Sequence, residues 1–366
     1  MIRRHIAKPG SPTMIRVFTS AAPNYLGKVR TLLFSLKKHH PELALHVVLA
    51  DLTPFSTDAA TLGVDSILSL TDLAHDDPAW LFSHSTVELC TAIKGRALER
   101  LLALPDTEAV LYFDPDIVLF SRLDDLIASL LESSIVLTPH LLQPETELDA
   151  ILDNEICALR HGVFNLGFVG VRNTAEGWRF VAWWRDRLAR FCRAEPETGL
   201  FTDQKWMDFA PCYFSELTIL RDTRFNVAPW NLSQRRVAGN FDRGFTVDGS
   251  PLGFYHFTGF DSGAHDAMLG KYAPDNRALS MLAEWYRRRS RALAPVAADW
   301  RLGCFSDGFP ILPIHRLLYR QRPDVERAFP DPFLADGRGS YRFWFEHQAP
   351  QEYPELRDLL TDARAS

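Results

Sequence analysis

The sequence predicts an α/β fold, a mostly parallel central sheet flanked by helices, with a helical and irregular C-terminal extension. Three observations carry that expectation. Apolar runs of strand length alternate with amphipathic stretches of helix length through the first half, as in successive β-α-β units. One run, Val110 to Phe113, is apolar on both faces, as a central strand must be. A 366-residue chain that is 46% hydrophobic and 12% aromatic also has ample material for a sizeable core.

Taken in order, Met14 opens the first convincing strand, centred on Ile15 to Thr19, so residues 1–13 read as a flexible lead. Asn24 to Lys38 follows as an amphipathic helix and Leu45 to Ala50 as a second strand ending at Asp51. Ile67 to Leu70 reads as a short third strand, and Glu88 to Leu104 as a helix stopped by Pro105. After the Val110 strand come a helix over Leu123 to Leu131 and a strand over Ser134 to Thr138. The second half brings a strand over Asn165 to Val171, a Trp- and Arg-rich helix over Ala175 to Cys192, and a short helix over Asp203 to Phe209. From there to Phe260 the pattern is short strands and loops, including Phe254 to Phe257. An Arg-rich helix from about Ala278 leads into an irregular, proline-containing tail over Leu312 to Leu360. The simplest organisation is one catalytic-sized domain over 14–270 and an extension over 271–366.

Charge narrows the partners. Asp and Glu outnumber Lys and Arg for a net charge of −6, which argues against nucleic acid. The five cysteines are scattered without a C-x-x-C pair, the usage of reduced thiols. No leader-like apolar run and no span-length run is evident, so the expected location is cytoplasmic, with peripheral contact at the inner membrane as a further option. Leu317 to Arg322 and Tyr341 to Phe345 mix apolar and basic residues. They suit either membrane or pathway-enzyme contact, or packing against the main domain.

The chemistry centres on Asp114-Pro115-Asp116, which interrupts an apolar run at a strand end, where α/β sheets bind ligands. Proline there fixes φ, and two nearby carboxylates suit one hard divalent cation, although Asp-Pro-Asp also makes an ordinary surface turn. His256, in an apolar run ending at Gly259, supplies a third donor of the kind that favours Mn²⁺, or else is a core histidine. Asp203 before Gln204 reads as a helix N-cap or as the edge of a site. Asn165 before Leu166-Gly167 is similarly double, since a strand glycine permits close approach of a ligand or of another backbone. Trp183-Trp184 reads as core or partner surface, and Asn226 to Asn231 as a sugar-binding run or a turn with a packed Trp.

These pieces, in order, resemble nucleotide-sugar glycosyltransferases of the GT-A fold (Rossmann-like), nearest the glycogenin and lipopolysaccharide-galactosyltransferase type. The motifs that carry the resemblance are Asn24-Tyr25, Lys94, Asp114-Pro115-Asp116, Asn165-Leu166-Gly167, Asp203-Gln204 and His256-Phe257-Thr258-Gly259. The likeness spans Ile15 to Phe260 and is similar in its FDPDI, NLGF, DQKW and HFTGF runs to bacterial surface-polysaccharide enzymes. It implies a DXD motif in which Asp114, Asp116 and His256 hold Mn²⁺ (or Mg²⁺) against the diphosphate of the donor. It implies donor binding by Ser20, Asn24, Tyr25, Asp51, Lys94, Asn165 and Gly259, and catalytic placement of Asp203 and Gln204 against the sugar. The implied reaction is retaining hexose transfer from a nucleotide sugar, UDP-linked by preference, to a saccharide or lipid-linked acceptor. The pattern departs from the type after Gly259, where Phe260-Asp261-Ser262-Gly263 stands instead of a run containing a phosphate-binding lysine. Lys271 or an arginine near Arg235-Arg236 is the expected substitute. Two other functions stay open: a metal-dependent nucleotidyltransferase or hydrolase, which usually requires further carboxylates, and a non-catalytic binding module of the same fold.

Overall fold

The computed structural model describes residues 13–51, 58–295 and 300–354. Of the expected lead only Thr13 falls within them, and the tail beyond 354 lies outside. Strand β1 (Met14–Ala21) is followed by helix α1 (Leu26–His39), β2 (Ala44–Leu49) and β3 (Ser66–Leu68). Helices α2 (Thr86–Ala92) and α3 (Lys94–Leu102) replace the single expected helix, breaking at Ile93. Then come β4 (Thr107–Phe113), the short β5 (Ile117–Leu119), α4 (Asp124–Glu132), β6 (Ile135–Pro139), β7 (Phe164–Arg172), α5 (Ala175–Phe191) and β8 (Leu217–Ile219). The later elements are β9 (Phe254–His256), α6 (Ala264–Tyr272), α7 (Arg277–Ala292), α8 (Pro313–Gln321) and α9 (Tyr341–His347).

A seven-stranded sheet runs β8-β6-β7-β4-β1-β2-β3. Every neighbouring pair is parallel except those made by β7, which runs antiparallel to both β4 and β6. The α/β class with a mostly parallel sheet is therefore observed. β4 lies at the centre because its residues serve two cores: Val110 and Tyr112 face one, Ala109, Leu111 and Phe113 the other. The alternation is the two-residue period of a strand, and both faces being apolar is what commits it to the middle. Leu89, Leu98, Leu101, Phe180 and Trp184 of α2, α3 and α5 cover one face. Val29, Leu32 and Leu36 of α1 and Leu126 and Leu130 of α4 cover the other.

The tail packs onto this body. Phe82 is ringed by Tyr319 at 5.1 Å, Phe333 at 5.2 Å and Tyr341 at 5.3 Å, and the Arg316 guanidinium donates to the Phe82 and His84 carbonyls. Leu318, Tyr319, Tyr341 and Phe345 are buried, so apolar residues of both mixed stretches pack into the body of the protein. Among the described residues no helix is long and apolar enough to cross a membrane.

Candidate functional site

β4 delivers Asp114 to the carboxyl edge of the sheet, and the chain turns there at once. The Ile117 N–H donates to the Asp114 carbonyl at 3.0 Å, closing a turn with Pro115 at its second position, where its fixed φ is preorganised. Asp-Pro-Asp is therefore a turn at the sheet edge, one of the two readings the tripeptide allows. β5 leaves the turn and pairs antiparallel with β9, His256 lying opposite Ile117, while the Phe257 N–H donates to the Asp116 carbonyl at 2.9 Å. This pairing brings His256 to the aspartates across a long stretch of chain.

Asp114, Asp116 and His256 each offer a ligand atom, all within 4.8 Å of one another. His256 Nε2 lies 3.0 Å from Asp116 Oδ1 and 3.8 Å from Asp114 Oδ2. Its Nδ1 lies 3.1 Å from Asn165 Oδ1, which also accepts from the Gly167 N–H at 3.2 Å. With Oδ1 as acceptor, the imidazole proton sits on Nδ1 and Nε2 is left for a metal, an arrangement that orients metal-binding histidines. Two carboxylates and an imidazole fit Mn²⁺ or a similar first-row ion. Burial alone would lower the His256 pKa, yet Asp116 and then Asp114 lift it above its usual value.

Gly167 makes room for this. A Cβ there would lie 2.5 Å from His256 Cε1 and 2.7 Å from Nδ1, so only glycine lets β7 pass the ring.

Lys94 is fully buried at the start of α3, with Nζ 3.2 Å from Asp114 Oδ1, 2.9 Å from Asp203 Oδ2 and 3.1 Å from the Leu166 carbonyl. Burial works to lower its pKa, but Asp114 and Asp203 hold it well above the usual value, so it stays charged. Asp203 is held above the usual carboxylate range by burial, against the pull of Lys94. Tyr112 donates to Asp114 Oδ1 at 2.5 Å, and the Ser20 hydroxyl sits 3.3 Å from the Tyr112 oxygen while donating to the Cys90 carbonyl. Asp114 therefore spends Oδ1 on the protein and turns Oδ2 toward His256. Asp203 caps no helix: the short turn of 3₁₀ helix begins at Lys205, and its preceding residue is Gln204. Gln204 Oε1 instead accepts from Asn165 Nδ2 at 3.3 Å and from the Leu166 N–H at 3.2 Å.

Tyr25 is half-buried and Asn24 exposed just ahead of α1, and Asp51 is buried just past the end of β2. Gly259, at φ +69°, follows His256 in the loop off β9. Trp230 stands edge-on to His256 at 5.4 Å, and Asn231 is fully buried, donating to the Asn226 and His140 carbonyls. Lys271 pairs with Asp149 and Asp153 on the surface, Arg235 is buried and donates to the Thr223 and Phe225 carbonyls, and Arg236 is exposed. Sequence reasoning missed Tyr112 and Lys28, whereas it marks Gly167 as a strand glycine that permits close approach. Lys28 Nζ lies 4.4 Å from the centre of the Tyr25 ring and 2.5 Å from Asp261 Oδ2. Its spacing of three from Tyr25, at a helix start, was the available signal.

No family model matches the chain. It is 27% identical over 248 residues to the uncharacterized protein YfnD of Bacillus subtilis (strain 168), covering 66% of this chain and 76% of that one. A second protein of that strain, YfnF, is 27% identical over 175 residues, 47% of this chain and 57% of its own. Among solved structures, the galactosyltransferase LgtC with donor and acceptor sugar analogs superposes at a TM-score of 0.45 and 18% identity, covering 79% of this chain and 99% of LgtC. Mouse xyloside xylosyltransferase 1 gives 0.40 and 15%, covering 68% and 97%. Likeness at these scores is loose, and what the site can do rests on its own residues.

Proposed function

We propose that this chain is a metal-dependent glycosyltransferase that moves a hexose from a nucleotide sugar, UDP-linked by preference, to a saccharide or lipid-linked acceptor of a bacterial surface polysaccharide. The observation that carries it is convergence. The FDPDI, NLGF, DQKW and HFTGF runs lie far apart in sequence, yet they meet in one cluster through Asp114, Asp116, Asn165, Asp203, Gln204 and His256.

In the reaction, the bond from the anomeric carbon to the donor phosphate breaks and a bond to an acceptor hydroxyl oxygen forms, with the hydroxyl proton released. Asp114, Asp116 and His256 would hold Mn²⁺ (or Mg²⁺), which supplies Lewis-acid stabilisation of the departing nucleoside diphosphate. The other residues serve that grip. Lys94 pairs with Asp114, Asp203 keeps Lys94 in place, and Gln204 fixes Asn165, which fixes His256. Tyr25 offers a face to the base, with Ser20, Asn24, Asp51 and Gly259 lining the donor side. Asp203 is buried and paired, so it acts by positioning; no nucleophile is assigned, and the expected stereochemistry is retention.

Thermal unfolding with a panel of nucleotide sugars tests the reading, because a ligand of the native state stabilises it by RT ln(1 + [L]/Kd). A rise in Tm with one donor that needs Mn²⁺ supports it. No shift with any donor, with or without metal, counts against it.

A further inference from the structure

The cluster lacks positive charge for the ligand proposed above. A divalent ion would offset Asp114 and Asp116, and Lys94 offsets Asp203 while spending its contacts on Asp114, Asp203 and the Leu166 carbonyl. Nothing there compensates a diphosphate. Among the described residues, Lys28 lies close enough for its charge to act on Asp116; it stands in the first turn of α1, over the Tyr25 ring. Its partner Asp261 stands five residues past His256, in a loop bracketed by Gly259 and Gly263, both at positive φ. The two partners are unequally held: the Lys28 side chain is 13% exposed and that of Asp261 is 60% exposed. A pair with so exposed a partner is weak, and the carboxylate can leave into water while the ammonium stays.

We infer that Lys28 is the phosphate-binding cation of this site, and that Asp261 occupies it in the free protein as a stand-in for a phosphate oxygen of the donor. Donor binding then exchanges one anion for another on Lys28. The inference rests on the donor reading above.

Titration of UDP into the full chain by calorimetry, with Mn²⁺ present, tests this. Lys28→Met should weaken UDP roughly ten- to a hundredfold, the loss of one charge-assisted contact, and Lys28→Arg should recover most of it. Asp261→Asn should bind UDP as tightly as the unaltered protein or more tightly. Mn²⁺ alone should bind all three variants equally. The inference is overturned if Lys28→Met leaves UDP affinity unchanged, or if Asp261→Asn weakens it as much as Lys28→Met does, since the pair would then be only structural. If the unaltered protein binds Mn²⁺ but no UDP, the donor reading falls together with the inference. Normal UDP binding with an indifferent Lys28→Met sinks the role of Lys28 alone.

Discussion

At the scale of single residues, the site divides into groups that hold charge and groups that hold geometry, and the two fail differently. Asp116→Asn removes a ligand while keeping the shape, so Mn²⁺ binding, followed by electron paramagnetic resonance, should be lost with the fold intact. Gly167→Ala keeps every ligand but puts a Cβ 2.5 Å from His256 Cε1. Because the ring is pinned by Asn165 and Asp116, Mn²⁺ affinity should fall roughly ten- to a hundredfold, as when a ligand loses its orienting partner. Lys94→Met leaves the buried Asp203 and the partly exposed Asp114 without their ammonium and should cost about 3–5 kcal/mol in urea unfolding, the range for breaking a buried pair. Adding Asp203→Asn should recover part of that cost. Of these residues, Asp114, Asp116 and His256 were legible as donors because carboxylates and an imidazole in apolar runs need a reason. Tyr112 was not, since its role depends on the carboxylate that faces it, and Gly167 was legible as a point of close approach but not as the residue that clears the His256 ring.

Elements explain how residues so far apart in sequence meet. β4 carries the aspartates, β7 passes beside them with Asn165 and Gly167, and β9 pairs with β5 to add His256. The sheet strands β1 to β4, β6 and β7 were readable from their apolar runs, whereas β8 and the β5–β9 pairing were not, as three-residue strands have too little pattern to assign a partner. Helix α1 carries Lys28 and crosses α7 at Gly27, where a Cβ would lie 2.2 Å from the Ser290 carbonyl oxygen. Gly27→Ala should therefore push the helices apart and destabilise the protein by about 1–3 kcal/mol, read as a lower urea midpoint at unchanged slope. The sequence suggested one helix over Glu88 to Leu104; the break at Ile93 instead starts α3 at Lys94, so its ammonium reaches inward. Helical structure over 148–161, not expected from sequence, leaves Leu148, Leu152 and Leu159 exposed, so no buried stripe marked it.

For the whole molecule, the fold class was legible because an α/β sheet announces itself through alternation. The tail was not, because its helices are short and proline-punctuated and its aromatic residues pack across distant chain onto Phe82. The same dense burial sets a pH response. Burial holds His46, His75, His140 and His315 down to about 4, against their usual 6.5. Between these values the unfolded chain binds more protons than the folded one, so stability rises with pH and is lost as acid is added. Tm should fall steadily from pH 7 to pH 4.5, even though His256, raised by Asp116, works in the opposite direction. A flat profile would mean these imidazoles already titrate normally in the folded chain.

The central claim is that Asp114, Asp116 and His256 hold a divalent ion that the transfer of sugar requires. It is tested most directly by measuring nucleoside diphosphate release from a panel of nucleotide sugars, before and after treatment with a chelator. The expected result is release with at least one donor, abolished by chelator, restored by Mn²⁺ and absent from Asp116→Asn. Undiminished release in chelator, or release of pyrophosphate in place of nucleoside diphosphate, would contradict it.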